Sequence, residues 1–387
     1  MMRPAERTAR KDTARGGARM RLLGLVRKEF LQIARDPSSI AIAFLMPMFL
    51  LLLFGYGVSL DTEHVPVALV VEDPGPDTAA FLAVFEGSRY FSPSRADSMS
   101  AAIEDLDAGR VNAIVRLRAN FAVRLRRADG APIQLIVNGI DANTARLIQG
   151  YAQGAWSTWL AERARAQGRE LSMPVEIEQR VWFNSELRSR NYLVPGLVVV
   201  VMTLIGALLT AMVMAREWER GTMEALMVTP VSMTEILLGK LIPYFVLGTG
   251  GMLLSVVMAT WLFEVPLRGS VWLLFLTSSL FLLVALGMGL LISTLAKNQF
   301  IAGQVAIIVT FLPAFLLSGF IFDIGSMPGV VRAITHMVAA RYFVSILQTL
   351  FLAGDVWSVV LPNALALLVM AAVFLGLTWC KSRKRLE

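Results

Sequence analysis

The sequence holds few of the residues that a disulfide or a metal site needs. Its 387 residues include one cysteine, Cys380, and two histidines, His64 and His336. A lone cysteine excludes an intramolecular disulfide, and one cysteine with two distant histidines argues against a Cys/His metal site. The sequence therefore predicts neither a disulfide framework nor a bound metal.

A phosphate-binding loop is also missing. The Gly239-Lys240 pair is followed by Leu241, and it lacks both the upstream glycine spacing and the Ser or Thr that ligates magnesium. We therefore expect no catalytic residues, no cofactor bound by this chain and no ATP hydrolysis by this chain alone.

Charged residues are scarce, whereas apolar residues are abundant. Asp, Glu, Lys and Arg make up 17% of the chain, against about a quarter of an average soluble domain. Hydrophobic residues make up 56%, and the mean hydropathy is +0.62. This composition predicts an integral membrane protein.

The net charge of +7 is concentrated at the two ends of the chain. Residues 1–36 hold ten Lys and Arg against four acids, and residues 381–387 hold four against one, whereas the polar insert 61–190 is slightly acidic. Basic residues beside membrane spans are typical of the cytoplasmic side. We therefore expect both termini in the cytoplasm, and no nucleic-acid partner.

Six apolar runs are long enough to cross a bilayer core of roughly 30 Å. The first lies within residues 37–60, and the other five lie within residues 191–387. The apolar cores of the six runs are 40–60, 192–215, 241–263, 271–295, 300–322 and 359–380, and they contain no Asp, Glu, Lys, Arg or His. The segment 323–357 is semi-apolar and broken by Pro and Gly, and this pattern predicts re-entrant or interfacial helices packed against protein.

The N-terminal 36 residues divide into two parts. Residues 1–19 are basic and predict a disordered start, whereas residues 20–36 place Leu22, Val26, Phe30 and Ile33 at helical spacing among basic residues. This pattern predicts an amphipathic helix on the surface of membrane lipid. Its interfacial residues are predicted to be Arg27, Lys28, Glu29, Phe30 and Arg35.

The insert 61–190 is expected to form a separate α/β domain on the far side of the membrane, because span 1 starts in the cytoplasm. Its predicted strands are Val65–Val71, Val111–Arg118, Phe121–Arg126, Pro132–Val137 and Val175–Phe183. Helices are predicted from Asp77 and over Asn143–Ala166. The fold class is thus an α-helical membrane protein with six transmembrane helices and an inserted extracytoplasmic α/β domain between spans 1 and 2.

The polar loop 216–240 between spans 2 and 3 is longer than a plain connector, which needs only a few residues. It carries Glu219-Arg220-Gly221-Thr222-Met223-Glu224 and then Thr229-Pro230, with helical spacing of its own. A solvated loop with a helical charge pattern would also fit these residues. The length of the loop favours binding by a partner outside the membrane.

This loop resembles the E-x-G-T loop of ABC-2-type transporter permeases. Lys28 to Asp36, Phe311-Leu312-Pro313, Ser318-Gly319 and Ala340-Arg341-Tyr342-Phe343 also resemble segments of that family, and the large insert is similar by size to that of its drug-export branch. The resemblance implies a bacterial inner-membrane export subunit for a hydrophobic or amphipathic, drug-like substrate. The residues that it implies for coupling to the ATPase are Glu219, Arg220, Gly221, Thr222, Glu224, Leu226, Thr229 and Pro230, with Thr222 expected to cap the following helix.

The same resemblance implies the partners. A separate cytoplasmic ATPase would bind ATP and Mg²⁺, and a second permease chain, identical or paralogous, would complete a path lined by spans 1, 2 and 5. The external insert would meet a periplasmic adaptor. The path-lining residues are predicted to be Met46, Phe49, Met202, Thr203, Gln304 and Phe311, although packing against lipid or protein explains them equally simply.

Three other functions stay open from the sequence. The chain would fit a permease for lipid-linked glycans, although the large insert weighs against this. It would also fit a membrane-anchored sensor or scaffold that works through its external domain, for which six spans are excessive. An ion-coupled carrier acting alone is disfavoured, since such carriers use ionisable groups at membrane depth.

Overall fold

The computed structural model describes residues 4–57, 64–127, 133–168, 182–184 and 188–382. The chain separates into two compact units. One comprises residues 1–59 and 181–387, and the other comprises residues 60–180. The boundaries that the sequence predicts for the insert, 61–190, are wider at the C-terminal end.

The larger unit is helical. Its helices are α1 (Pro4–Ala34), α2 (Pro37–Gly57), α7 (Ser189–Glu219), α8 (Thr222–Val228), α9 (Met233–Leu262), α10 (Val271–Ala296), α11 (Gln299–Leu317), α12 (Gly329–Thr335), α13 (Ala339–Leu352) and α14 (Trp357–Lys381). Within the described residues, six of these helices are long and apolar enough to cross a membrane, namely α2, α7, α9, α10, α11 and α14.

Helix α7 lies at the centre of this unit. It packs against α2, α9, α10, α11 and α13, and most of its apolar residues are buried. Close packing depends on small residues, because a Cβ atom on Gly206 would overlap Ala285 and one on Gly289 would overlap Thr210 and Ala207. The outer helices instead expose rows of leucine and isoleucine, as Leu361, Leu365 and Leu368 of α14 show.

Aromatic and basic side chains mark the helix ends. Trp272 and Trp357 are exposed at the first turns of α10 and α14, and their ring centroids lie 6.2 Å apart. Trp379 and Lys381 occupy the last turn of α14. Such residues are typical of the two membrane interfaces.

The segment between spans 5 and 6 forms short helices. A 3₁₀ turn (Ile324–Ser326) is followed by α12 and α13, which are bent by 80° relative to each other. The buried face of α13 includes Phe343, Leu347 and Phe351, and this helix packs against α7, α10 and α14. Helices packed against protein are what the sequence predicts for residues 323–357.

The N-terminal helix is longer than the sequence predicts. Helix α1 begins at Pro4, so the described part of the segment 1–19 is helical and the prediction of a disordered start is wrong there. Ala, Arg and Lys dominate these residues, and they are among the strongest helix formers.

The smaller unit contains a four-stranded sheet in the order β2-β1-β3-β4. Strands β1 and β2 and strands β1 and β3 are parallel, whereas β3 and β4 are antiparallel. The elements in chain order are β1 (Val65–Val71), α3 (Pro76–Glu86), β2 (Phe91–Ala96), α4 (Met99–Asp107), β3 (Ala113–Leu117), α5 (Phe121–Arg127), β4 (Ile133–Val137) and α6 (Ala142–Ala166).

The two faces of the sheet have separate cores. Val67 and Leu69 of β1 pack on one side with Phe81 and Trp159 of α3 and α6, whereas Ala68 and Val70 pack on the other side with α4. This alternation follows from the period of two along a strand.

One sequence prediction for this unit is wrong, one strand is not predicted, and one predicted strand is not tested. Residues 121–126, predicted to be a strand, belong to helix α5, in which Phe121 and Leu125 reach the same core one turn apart. The edge strand β2 is not predicted from its sequence, because Ser92, Pro93 and Ser94 have low strand propensity. Its place at the edge of the sheet is what allows it to contain a proline. Most of the strand predicted over 175–183 lies outside the described residues.

Candidate functional site

The candidate site lies where α1 meets the end of α7 and the start of α9. Helix α7 does not end with its apolar run at Ala215 but continues through Arg216 to Glu219. Helix α9 begins at Met233, where Ser232 and Glu235 form a capping box. Consequently Glu217 and Lys240, which the sequence analysis places in the loop, are helical and buried, with exposures of 5% and 3%.

Four side chains from these three helices form a charge cluster, which we define as Lys28, Glu29, Glu217 and Lys240. The Nζ atom of Lys240 lies 2.9 Å from Glu29 Oε1 and 3.1 Å from Glu217 Oε1. The Nζ atom of Lys28 lies 2.8 Å from Glu217 Oε1 and 3.5 Å from Glu29 Oε1. Two cations and two anions balance, as burial of charge requires.

The members of the charge cluster differ in exposure. The side chains of Lys240, Glu29 and Glu217 are 4%, 3% and 6% exposed, whereas that of Lys28 is 46% exposed. Burial lowers the pKa of Lys28, but the hydrogen bond and charge of Glu217, together with those of Glu29, outweigh burial and raise this pKa. Lys28 therefore closes the cluster on its solvent side as a cation.

The loop helix α8 is joined to the charge cluster through Thr222. The Thr222 hydroxyl donates to Glu217 Oε2 and also to the Glu217 carbonyl oxygen, the latter at 3.2 Å. The prediction that Thr222 caps α8 is therefore wrong. Its hydroxyl donates to Glu217 of α7, and the N-cap residue of α8 is Gly221. Gly221 makes the turn with a φ of 66°, a left-handed conformation that favours glycine.

Two further ion pairs flank the charge cluster. Arg216 donates to Asp36 Oδ2 at 3.0 Å, and Arg21 donates to Glu235 Oε1 at 3.0 Å. Burial raises the pKa of Asp36, but hydrogen bonds from Ser38, Arg216 and Ser39 outweigh it and lower this pKa to about 2. The Arg21–Glu235 pair thus adds to the charge cluster in tying α1 to α9, whereas the Asp36–Arg216 pair ties the start of α2 to the end of α7.

A cleft of about 710 Å³ opens beside the Asp36–Arg216 pair. Its lining includes the cations Lys28, Arg35 and Arg220, and the backbone N–H of Gln299 at its edge donates to Glu219 Oε1 at 3.1 Å. The walls are therefore mostly basic. Such a surface is suited to contact an acidic partner.

The predicted ATPase-coupling residues fall mainly on the surface around α8. Those exposed are Glu219, Arg220, Gly221, Thr222, Glu224, Thr229 and Pro230, whereas Leu226 is half-buried. On α1 the predicted interfacial residues Arg27, Lys28, Phe30 and Arg35 are exposed, but Glu29 is buried within the charge cluster. Most residues of both predicted groups are therefore exposed, and Lys28, Arg35 and Arg220 line the same cleft.

The predicted path-lining residues are scattered. Met202 is completely buried in the core, whereas Phe49 is 60% exposed and Gln304 is also exposed. Met46 and Phe311 are half-buried, and Phe311 stacks on Phe315. An internal cavity of about 300 Å³ is lined by Thr203 alone of these six.

Sequence reasoning missed six charged residues of the site, which are Arg21, Asp36, Arg216, Glu217, Glu235 and Lys240. One local signal was available, because Ser232 and Glu235 have the spacing of a capping box and thus predict a helix that contains Lys240. The pairing of Lys240 with Glu29, 211 residues away, has no local signal.

Comparison with known proteins identifies similar chains. The family described as "ABC-2 family transporter protein" matches residues 37–380. The "Probable multidrug ABC transporter permease YbhS" of Escherichia coli strain K12 is 46% identical over 368 residues, which cover 95% of this chain and 98% of that protein.

Two further proteins of the same bacterium are similar at lower identity. The "Probable multidrug ABC transporter permease YbhR" is 28% identical over 353 residues, covering 91% of this chain and 95% of its own. The "Inner membrane transport permease YhhJ" is 29% identical over 294 residues, covering 75% and 76%. The similarity to all three extends over most of each chain.

Proposed function

This chain belongs to the ABC-2 family of transporter proteins, and on that premise we propose that it is the membrane-spanning permease subunit of an ABC exporter. Its proposed substrate is a hydrophobic or amphipathic, drug-like molecule that leaves the cytoplasm or the inner leaflet. A separate cytoplasmic ATPase binds ATP and Mg²⁺ and drives the movement.

The observation that carries this proposal is the charge cluster. It joins α1 to the ends of α7 and α9, and Thr222 adds α8 through Glu217. A force applied to α8 or α1 is therefore delivered to two spans at once, because the buried ion pairs resist separation. This is the property that a subunit driven by an external motor requires.

The proposed docking surface for the ATPase comprises the exposed residues around α8, with Glu219, Arg220 and Glu224, and the basic face of α1, with Arg27 and Arg35. These side chains are solvent-accessible and lie outside the core. Replacing Glu219 also removes the bond that it accepts from the Gln299 N–H at the start of α11, whereas Glu224 has no such bond to the described residues. The surface is thus separable by mutation from the buried charge cluster that transmits the movement.

The proposed orientation follows from the helix ends. The basic residues of α1 and Lys381 lie in the cytoplasm, so the N-terminal ends of α10 and α14, with Trp272 and Trp357, face outward. The smaller unit then lies outside the bacterial inner membrane, where an adaptor would meet it. A second permease chain would cover exposed apolar residues of α11, such as Ile308 and Leu312.

The test is a mild-detergent purification of the tagged chain from its own host, with the ATPase activity of the material measured. We expect a P-loop protein to copurify with wild type and to be reduced for Glu219→Ala/Glu224→Ala. Glu104→Ala, which removes an exposed helical acid of the smaller unit, is the matched control and should leave association unchanged. Intact chain without an ATPase would contradict the proposal.

A further inference from the structure

An apolar cavity of about 300 Å³ lies within the helical unit, beside the bend between α12 and α13. Its walls include Phe281, Ala285, Ala314 and Phe374, and Met337 at the bend completes them. This volume is at the lower end of the range for ligand pockets, roughly 300–1,000 Å³. The cavity is therefore large enough for one small apolar group.

The polar atoms in the cavity wall are already satisfied. Thr203 donates to the Val199 carbonyl oxygen at 2.8 Å, and Thr310 donates to the Ala306 carbonyl oxygen at 2.6 Å. Because each O–H bonds within its own helix, neither hydroxyl is left to donate to a polar ligand. The interior of the cavity consequently favours a hydrocarbon chain.

A cation lies at the bend where this cavity ends. Arg341 donates to the Thr335 hydroxyl, and its guanidinium lies 3.0 Å from His336 Nδ1. Thr335 and His336 sit between two cavity-lining residues, Ile334 and Met337. Arg341 itself follows the lining residue Ala340, so its guanidinium lies beside residues of the cavity wall without being part of the lining.

The charge of Arg341 is not neutralised by the protein. Within the part of the chain that the structure describes, no carboxylate lies within 4.0 Å of the guanidinium of the half-buried Arg341, and its side-chain partners there are the Thr335 hydroxyl and the His336 ring. Arg332, on α12, donates to the carbonyl oxygens of Gly325 and Met327 and likewise has no carboxylate partner among the described residues. The two acids of the segment 323–357 have other partners, since Asp323 accepts from Ser326 N at 3.0 Å and Asp355 accepts from Ser270 N at 2.8 Å.

We propose that this cavity and bend form a binding site for a single-chain anionic amphiphile, with the hydrocarbon chain in the cavity and the anionic group on Arg341. An anion supplies the charge that this half-buried cation lacks. A volume of about 300 Å³ suits one hydrocarbon chain better than the two chains of a diacyl lipid. The site does not depend on the proposed transport function, because binding requires neither an ATPase nor a substrate gradient.

The test uses the full chain, purified into nanodiscs of zwitterionic phosphatidylcholine, and a long-chain fatty acid that carries a diazirine in its chain. After illumination, we expect cross-links to map to cavity residues such as Met337 and Phe374. The unlabelled fatty acid should compete about tenfold better than the fatty alcohol of equal length, since only its carboxylate brings a negative charge to pair with Arg341. Nanodiscs containing phosphatidylglycerol should leave labelling unchanged.

Four variants separate binding from structural support. Arg341→Gln should weaken binding about tenfold, and Ala314→Leu should abolish cavity cross-links by filling the space. Arg341→Lys keeps the positive charge but loses the guanidinium contact with Thr335 and His336. Because the proposal assigns the anion to this charge, the variant should retain most of the binding. Arg268→Gln, an exposed arginine that does not line the cavity, is the matched control and should bind as wild type.

Three results would overturn the proposal. Equal competition by the acid and the alcohol would show that the cavity takes neutral chains and that Arg341 only braces the bend. Competition by phosphatidylglycerol would show that the ligand is a bilayer lipid. Cross-links that map outside the cavity would contradict binding at this site. Size-exclusion chromatography verifies that each variant is folded.

Discussion

Replacing Lys240 by methionine tests whether the charge cluster holds α1, α7 and α9 together. Methionine keeps the length of the side chain but removes the cation that bonds Glu29 and Glu217. Both carboxylates stay buried, and the half-exposed Lys28 is left as the one cation of the cluster. The substitution therefore creates a buried excess of negative charge.

The expected cost follows from burial. Removing one partner of a buried ion pair costs about 3–5 kcal/mol, because the other charge is left uncompensated. Lys28→Met is the control at the same cluster. It leaves the same two carboxylates with Lys240, but the Lys28 side chain is 46% exposed, so water replaces much of what its ammonium group supplies and we expect a smaller loss than for Lys240→Met. The loss of stability should thus be larger for Lys240→Met than for Lys28→Met, although both lysines contact the same two carboxylates.

The assay is the temperature at which detergent-solubilised protein ceases to elute as a monodisperse peak, measured for each variant at the same detergent and salt concentration. We expect a large decrease for Lys240→Met and a small one for Lys28→Met. The double variant Lys240→Met/Glu217→Gln should recover much of the loss, since Glu29 and Lys28 then balance. Equal decreases for the two lysines, or no recovery in the double variant, would refute the reasoning.

Three further predictions concern packing, a turn and pH. Gly289→Ala should greatly reduce the yield of folded protein, because its methyl group would overlap the neighbouring helix, whereas Gly376→Ala, with nothing within 4 Å, should be neutral or stabilising in the same expression assay. Gly221→Ala should lower the free energy of unfolding by about 1 kcal/mol, because φ is 66° at this position. An unchanged thermal unfolding midpoint would contradict this prediction. The pKa of Asp36 is lowered from 3.8 to about 2, so its contribution of about 2 kcal/mol is fully present above pH 3.8 and is lost as pH falls towards 2. The stability difference between wild type and Asp36→Asn should therefore shrink over that interval, and a constant difference would argue against an ionised Asp36 in the folded state.

The number of spans is the part of the fold that sequence reasoning predicts best. A bilayer demands long uninterrupted apolar runs, so each run is visible without any tertiary information. Hydropathy does not detect where a helix ends, however, and α7 continues four residues beyond its apolar run. That continuation is what brings Glu217 from the predicted loop into the buried charge cluster.

The insert shows the limits of local patterns. The alternation around Phe121 matches a strand as well as a short helix, and the choice is made by packing against Phe81 and Trp159. The small edge strand β2 is held by hydrogen bonds to β1 and not by its own propensity. Both outcomes are decided by tertiary contacts that no window of the sequence contains.

The candidate site divides in the same way. Gly221 could be predicted, because a turn after a helix requires a residue that tolerates a positive φ. The charge cluster could not be predicted, since Glu29 and Lys240 are 211 residues apart and each alone resembles an ordinary solvated charge. Sequence reasoning therefore identifies the exposed residues around α8. It misses the buried charge cluster that connects α8 to the spans.

The central claim is that an ATPase docks on the surface around α8, and the single cysteine of the chain makes a direct measurement possible. In a Cys380→Ser background, Glu224→Cys places one thiol on α8, and Glu104→Cys places one on the smaller unit as the control. After treatment of host membranes with a short thiol-reactive cross-linker, the account predicts that Glu224→Cys captures a P-loop ATPase and that Glu104→Cys does not. An ATPase captured equally from both positions, or from neither, would contradict the account.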